Sequence, residues 1–394
     1  MLFLDLWFWQ FAAIAVAVYL LCPQRLKVAW LLIASAVFQV HFAGPAGAAP
    51  VLVFALLTYA APLLTPRQRG PSPAVAVITL LVGALTFYKY AAFLRDSAAS
   101  LLQLVGVSLP HAVTAWHAPA IPLGISFFTF EFIHYLYEVH AHGRAPIRHP
   151  GQFAVFAIFF PTLAAGPIKR FPDFVPQLET PRNPDWAMWC DGVRRVILGL
   201  FRKVCIADTL ADVATAMEAT RVFTGPLVIS LAVVQGLRIY HDFGGYSDIA
   251  IGLAKLLGLR VPENFNYPYR STSLQEFWRR WHISLSSWIR DYVYIPLGGN
   301  RRHRTFNLLL AMVLCGLWHG AAWNFAAWGL YHGAGLAAEG LVRHWRPRLF
   351  EPGRATQLLG RAFCYSFVSL GWLLFFYPLD TVGQMLVGLA RWSW

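Results

Sequence analysis

The sequence predicts an all-α polytopic membrane protein, with roughly ten transmembrane helices plus re-entrant and interfacial helices around a central cavity. Of the 394 residues, 57% are hydrophobic and only 13% are charged, whereas about a quarter of a soluble domain is charged. The mean hydropathy of +0.51 agrees with this class. We therefore expect a single integral-membrane domain over residues 1–394, surrounded by a lipid bilayer.

The charge balance is basic, with 32 Lys and Arg against 19 acidic residues. In a soluble protein this excess would indicate nucleic acid, which we do not expect as a partner here. Basic residues collect in the cytoplasmic loops of membrane proteins, and an anionic ligand such as a nucleotide-bearing cofactor would add to the excess. The five cysteines include no CxxC pair, so we expect no disulfide framework and no zinc site.

Apolar segments follow one another along the whole chain, several of them near the lower limit for crossing a bilayer. The first four are Leu6–Leu21, Val28–Phe42, Val51–Leu64 and Ala74–Leu94. The later ones are Gly124–Val139, Val222–Tyr240, Phe306–Ala338, Ala362–Tyr377 and Thr381–Ala390. A short, Pro-broken segment, Phe153–Ala165, predicts a re-entrant element, and the amphipathic Gly192–Met217 predicts an interfacial helix.

Three polar residues, Glu131, His134 and Glu138, share one face of a predicted helix. One interpretation is a polar stripe whose hydrogen bonds are satisfied by neighbouring helices. A second is a water-accessible cavity lined by these side chains. A metal site is the least favoured, because no ligand-spaced partner motif occurs elsewhere, and we predict no metal.

The apolar run from Phe306 to Ala338 contains no Asp, Glu, Lys or Arg, yet it contains His319 and His332. A titratable group inside a membrane-length apolar run is costly, which makes it a functional-site hypothesis. We place a break near Gly320–Asn324, so that water or a ligand reaches His319. If the preceding segment is helical from Arg304, His319 lies roughly 22 Å from it, deep in the bilayer. The alternative is a histidine hydrogen-bonded to a neighbouring helix.

A polar, aromatic segment from Glu276 to Ser286 precedes this run. Arg279 and Arg280 could hold phosphates, and the indole of Trp281 could stack on a base. The alternative is an interfacial helix anchored by Trp and Arg. His282 lies in the same segment, and we predict it to be the companion of His319.

Several ordered motifs carry a family resemblance. They are Gly245–Gly252, Glu263–Asn266, Glu276–Ser286, Pro296–Arg301 and Gly316–Gly320. The sequence resembles the membrane-bound O-acyltransferases, and most closely their bacterial branch that contains alginate O-acetyltransferase. The likeness covers most of the chain beyond residue 120.

The resemblance implies that His319 is the catalytic base and His282 the second functional histidine. It implies a multi-pass O-acyltransferase of the bacterial inner membrane, with no bound cofactor. The donor would be cytoplasmic acyl-CoA, with acetyl-CoA favoured. The acceptor would be an extracytoplasmic exopolysaccharide or cell-wall polymer, or a periplasmic acyltransferase partner. We group the candidate substrate-binding residues as Trp318, Asn324, Arg279, Arg280, Trp281, Asn264, Arg301 and Arg302.

Three other functions stay open at this point. The first is D-alanyl transfer to a cell-wall polymer, because the related teichoic-acid proteins share the segment around His282. The second is a proton-coupled transporter or channel, in which Glu131, Glu138, Asp248 and the histidines would relay protons. The third is a non-catalytic membrane scaffold for a polymer synthase.

Overall fold

The computed structural model describes residues 5–64, 73–107, 119–219, 222–347 and 353–391, together with 110, 113, 116 and 351. In this part of the chain all regular secondary structure is helical, as predicted. Close contacts divide the chain into two compact units. One contains residues 1–196 and 250–262, and the other contains residues 197–249 and 263–394. The assignment of the whole chain to a single domain stays a prediction.

The first unit is built mainly from α-helices. They are α1 (Leu6–Leu21), α2 (Lys27–Leu64), α3 (Pro73–Leu85), α4 (Ala91–Leu104), α5 (Ile125–His140), α6 (Pro150–Ile158) and α7 (Trp186–Leu200). Within α2 the backbone breaks at Gly44, whose φ of 66° favours glycine. The break separates the two segments that the sequence predicted in this region. A wide π-helical turn, Thr86–Tyr90, joins α3 to α4.

Three helical stretches in the described residues are long and apolar enough to cross a membrane: Gln24–Leu64, Pro73–Leu104 and Arg354–Phe376. The apolar helix Leu6–Leu21 is shorter. Large side chains such as Leu52, Val53 and Leu56 are exposed on these stretches, which is the expected state of a surface that faces lipid tails. The membrane class is therefore supported, and the count of ten spans is not confirmed.

The polar stripe of α5 is satisfied by neighbouring groups. Glu131 is buried and its carboxylate lies 2.7 Å from the ammonium of Lys169, which is also buried. His134 accepts a hydrogen bond from the backbone N–H of Phe171. Glu138 pairs with Arg144 at 2.8 Å. This favours the interpretation of a hydrogen-bonded stripe, because a buried charge persists when it is paired.

The second unit contains the helices that carry the predicted site. They are α8 (Thr209–Glu218), α9 (Gly225–Leu256), α10 (Leu274–Arg280), α11 (Ile283–Ile289), α12 (Arg304–His319), α13 (Trp323–Trp345), α14 (Arg354–Phe376) and α15 (Leu379–Arg391). A π-helical turn, Arg290–Tyr294, follows α11. The predicted break after His319 is confirmed, since α12 ends at this residue and α13 begins at Trp323.

Helices α12 and α13 form a hairpin that depends on glycine. A Cβ on Gly316 would lie 2.1 Å from the carbonyl oxygen of Phe325, and one on Gly329 would lie 2.2 Å from that of Met312. Small residues at such positions let two backbones approach closely, as is common between membrane helices. The hairpin fixes where α12 ends, and therefore where the imidazole of His319 lies.

Candidate functional site

Two histidines from separate segments come together in the second unit. His319 is the last residue of α12, and Gly320 after it is extended. His282 joins α10 to α11 in a left-handed conformation with a φ of 42°. The centroids of the two rings are 6.4 Å apart. The structure thus brings together the two residues that the sequence predicted as companions. Strained, left-handed backbone in a residue other than glycine is often found at functional sites.

The ring of His319 is enclosed by aromatic side chains but is not sealed from the surface. The rings of Trp328 and Phe375 meet it edge-on at 5.4 and 5.0 Å, and Trp318 lies at 4.9 Å. His319 itself is only partly buried. An imidazole in this environment is accessible to a reactant, whereas bulk water is largely kept out.

His282 is buried and makes no hydrogen bond with either ring nitrogen within the described residues. Phe243 of α9 lies against its ring at 4.5 Å. Leaving a buried polar group unsatisfied costs about 1–3 kcal/mol. An imidazole held in this state next to a second imidazole has the properties of a group that binds a ligand or an ordered water.

Asn264 anchors the segment that carries His282. Its side-chain oxygen accepts hydrogen bonds from the backbone N–H and the hydroxyl of Ser284, at 3.3 and 2.6 Å. Its amide nitrogen donates to the hydroxyl of Ser247 on α9 at 3.1 Å. Asn264 is fully buried, so this geometry assigns it to positioning His282. Direct contact with substrate was our prediction for it, and nothing in the structure tests that contact.

Trp281 and Asn324 also take part in the protein's own packing. Trp281 is buried, stacked on Phe277 at 5.4 Å and against Trp372 at 4.8 Å. The side-chain amide of Asn324 donates to the carbonyl oxygens of Leu374 and Phe375 at the end of α14. A helix terminus has carbonyls without helical partners, and Asn324 satisfies two of them beside His319.

A cavity of about 620 Å³ opens within the second unit, and neither His319 nor His282 is among its lining residues. Its lining includes Cys315, one helical turn before His319, and Ile283, which follows His282. Trp278 contributes to the same wall. The volume lies within the range of about 300–1,000 Å³ typical of cofactor and substrate pockets.

Cationic side chains line the same cavity. They are Arg279, Arg290, Arg304 and Arg343. The acidic lining residue Glu339 accepts a hydrogen bond from the backbone N–H of Leu274 and pairs with Arg343 at 3.4 Å. The charge of the cavity is therefore positive overall, which suits a ligand with several phosphate groups.

The structure places the four predicted phosphate-binding arginines differently. Arg279 lines the cavity. Arg280 pairs with Glu276 at 2.8 Å and donates to the carbonyl of Asn266, so its charge is already compensated. Arg301 and Arg302 are exposed in the turn before α12 and do not line the cavity.

The carboxyl group of Glu276 is held in its ionised form by its neighbours. Burial raises its pKa, but hydrogen bonds from the backbone N–H and hydroxyl of Thr272, both at 2.8 Å, and the nearby Arg280 lower it. The pKa of Glu276 is below its ordinary value as a result. Its negative charge keeps Arg280 engaged at the end of α10.

Sequence reasoning missed Arg304 and Arg343 as lining residues. They are far apart in the chain, but the hairpin of α12 and α13 returns the end of α13 to the start of α12. The closeness of these ends is visible at Gly340, where an added Cβ would lie 2.7 Å from the guanidinium of Arg304. The break after His319 was the available signal, because a hairpin turning there brings its far ends together.

The carboxylates of the proposed proton relay are all paired. Asp248 lies 2.6 Å from the guanidinium of Arg202, and Glu131 and Glu138 have the cationic partners given above. A relay needs groups that exchange protons readily, whereas an adjacent cation stabilises the ionised form. The arrangement gives the transporter hypothesis no support.

The helical fold and its apolar spans are those of a membrane-embedded protein, and its second unit holds two neighbouring histidines and a basic cavity. The chain belongs to the membrane-bound O-acyltransferase family, whose profile matches residues 74–379.

Named relatives agree with this assignment. The chain is 40% identical to a probable alginate O-acetylase AlgI of Azotobacter vinelandii, over 93% of this chain and 72% of the relative. It is 39% identical to a protein of the same name from Pseudomonas putida, over 93% and 75%. It is also 34% identical to a peptidoglycan O-acetyltransferase of Helicobacter pylori, over 65% and 54%.

Proposed function

We propose that this protein transfers an acetyl group from acetyl-CoA to a hydroxyl on the extracytoplasmic side of the bacterial inner membrane. The product is an O-acetylated exopolysaccharide or cell-wall polymer, reached directly or through a periplasmic acyltransferase partner. The family and the names of the relatives, which act on alginate and peptidoglycan, support polymer O-acetylation.

The observation that carries the proposal is a basic cavity whose lining includes Cys315, one helical turn before His319, and Ile283, the neighbour of His282. Arg279, Arg304 and Arg343 line the cavity, and Cys315 forms part of its wall nearest His319. Four residues of helix separate Cys315 from His319, about 6 Å along the axis. A donor with its phosphates on the arginines and its pantetheine arm along the apolar wall would bring its thioester to the imidazole.

His319 is the general base in this mechanism. Its imidazole takes the proton from the acceptor hydroxyl as the oxygen attacks the thioester carbonyl, and general-base assistance contributes about 10²–10⁴-fold. The carbon–sulfur bond breaks, and CoA leaves as the thiol after the proton passes to its sulfur. His282 donates a hydrogen bond to the developing oxyanion, a form of stabilisation that is strong where water is excluded.

Variants of the two histidines test the proposal in cells. In a deletion strain complemented with His319→Ala, we expect ester-linked acetate on the purified envelope polymers to fall to the level of the uncomplemented strain. His282→Ala should lower it at least about 100-fold, as loss of an oxyanion donor does. The exposed His149 provides the matched control, and His149→Ala should behave as wild type.

The outcome that rejects the proposal is polymer acetate that stays unchanged in the His319→Ala strain while the protein is present in the membrane. Purified protein that turns over a D-alanyl donor but not acetyl-CoA would establish D-alanyl transfer in its place. Proton flux in liposomes without acyl transfer would establish the transporter.

A further inference from the structure

Arg238, a half-buried arginine, has no anionic partner among the residues that the structure describes. Arg238 of α9 lies with its guanidinium over the ring of Phe376 at 5.1 Å. Within the described residues no carboxylate lies within ion-pair distance of it, and its recorded hydrogen bond goes to the side-chain oxygen of Gln235 at 3.2 Å. A cation in a membrane protein that is neither paired nor fully exposed marks a ligand pathway more often than it marks packing.

A fixed hydrogen-bond chain orients this arginine. The amide nitrogen of Gln235 donates to the hydroxyl of Tyr377 at 2.8 Å and to the carboxylate of Glu218 at 3.3 Å. The hydroxyl of Tyr377 donates to the same carboxylate. One oxygen of Glu218, Oε1, therefore accepts from two neutral donors, and the oxygen of Gln235 accepts from Arg238. A guanidinium has five N–H donors, so most of those of Arg238 stay available to a ligand.

The last turn of α14 connects Arg238 to the catalytic histidine. The guanidinium of Arg238 lies over the ring of Phe376. The ring centroid of the adjacent Phe375 is 5.6 Å from that of Phe376 and 5.0 Å from that of His319. The amide of Asn324 holds the carbonyl oxygen of Phe375. These contacts lie at the end of α12 that carries His319, whereas the lining of the donor cavity runs along α12 from Arg304 to Cys315 and includes neither Phe375 nor Arg238. A donor in that cavity would leave the Phe375 side of His319 open to the acceptor hydroxyl.

We infer that Arg238 is the acceptor-binding residue, and that it binds an oxyanion carried by the molecule whose hydroxyl is acylated. This inference rests on the proposed acyl transfer. The guanidinium fork matches a carboxylate or a phosphate in two-point geometry, and the ring of Phe376 fixes its plane. The acceptor class is therefore an anionic polyol, such as a saccharide with a carboxylate on the ring or a phosphate-linked polymer.

The test compares matched acceptors on the purified full chain in lipid nanodiscs, with CoA thiol release from acetyl-CoA as the readout. The acceptors are an oligosaccharide of uronic acids, the same oligosaccharide with its carboxylates converted to primary amides, and a polyol phosphate. For Arg238→Gln we expect the KM of the preferred anionic acceptor to rise about 10- to 100-fold, the effect of losing charge-assisted hydrogen bonds. The KM of the amide should change less than about twofold. Arg238→Lys keeps the positive charge but loses the two-point geometry of the guanidinium, so its KM for the anionic acceptor should lie between those of wild type and Arg238→Gln.

Two controls separate the possible failures. The affinity for acetyl-CoA, measured by calorimetry, should be the same for Arg238→Gln and wild type, because the donor cavity is lined by other residues. The exposed Arg260 supplies a matched variant, Arg260→Gln, which should leave the KM for every acceptor unchanged. Preference for the uronate or for the phosphate identifies which oxyanion is recognised.

An equal loss with charged and amidated acceptors would overturn the inference while leaving the proposed function intact. So would a loss of acetyl-CoA affinity in Arg238→Gln. A wild-type protein that binds acetyl-CoA but transfers acetyl to none of these acceptors would also overturn the inference. If its deletion in addition leaves polymer acetate unchanged in cells, the proposed function is rejected as well.

Discussion

The basic cavity predicts that donor affinity depends on Arg304. This residue begins α12, lines the cavity and packs with its guanidinium against Gly340 of α13, so its position is set by the hairpin. We consider Arg304→Gln, which removes the charge and keeps most of the side-chain length. Hydrogen bonds to charged groups are worth about 1.5–3 kcal/mol when well formed.

The expected magnitude lies at the lower end of this range. Arg304 is exposed at the cavity mouth, so solvent and salt screen its interaction with a phosphate. A loss of about 1.4 kcal/mol corresponds to a tenfold change in Kd. We therefore expect Arg304→Gln to raise the Kd for acetyl-CoA about tenfold at low salt, with a smaller difference as the salt concentration increases.

Isothermal calorimetry on the purified protein measures this change. Acetyl-CoA is compared with S-acetylpantetheine, which lacks the nucleotide and its phosphates and should bind wild type and Arg304→Gln equally. Arg260→Gln is the charge-matched control away from the cavity and should leave both affinities unaltered. Arg302→Gln tests the exposed turn, where we expect a change below about threefold because the residue does not line the cavity.

The reasoning would be refuted if Arg304→Gln bound acetyl-CoA as tightly as wild type. It would equally be refuted if the variant lost affinity for S-acetylpantetheine to the same extent, because the effect would then come from the shape of the cavity and not from its charge.

Two further predictions concern the supports of the site. Asn264→Ala removes the amide that bonds the buried hydroxyls of Ser247 and Ser284, which we expect to cost about 2–4 kcal/mol of stability and to reduce acyl transfer sharply. Thermal unfolding and turnover measure these effects, and the exposed Asn266→Ala is the control. Wild-type stability and turnover in Asn264→Ala would contradict the positioning role. Gly329→Ala forces a Cβ to 2.2 Å from the carbonyl oxygen of Met312 and should lower the melting temperature, since overpacking costs about 1–3 kcal/mol. Gly83→Ala, where nothing lies within 4 Å, should not lower it, and equal shifts for the two glycines would contradict the close packing of α12 on α13.

Much of the site could be predicted because each of the two histidines lies in a segment that is distinctive in its own sequence. His319 stands out as an imidazole in an apolar run, and His282 as part of a dense aromatic and basic segment. The break after His319 follows from Gly320 and the residues around it. These signals depend on neighbours in sequence. The structure places the two rings 6.4 Å apart, and their catalytic roles stay predictions.

The donor-binding arginines could be predicted only in part. Arg279 and Arg280 are adjacent in sequence and chemically equal. Arg279 nevertheless lines the cavity, while Arg280 forms an ion pair with Glu276, one helical turn earlier. Which arginine is used depends on the helical phase and on a competing carboxylate, and the sequence alone does not rank these effects.

The sequence by itself determined the membrane class, the all-helical fold, the family and the two histidines, because composition, hydrophobic runs and ordered motifs are local properties. The tertiary structure decided which charges are free to bind a ligand. It paired Glu131, Glu138 and Asp248 with cations, turned Asn264 inward to bind Ser284 beside His282, and brought Arg343 to Arg304. Among the described residues it placed no carboxylate within ion-pair distance of Arg238. The physical reason is that a charge is neutralised by whatever lies within a few ångströms of it in space, and residues distant in the chain become such neighbours only when the helices pack.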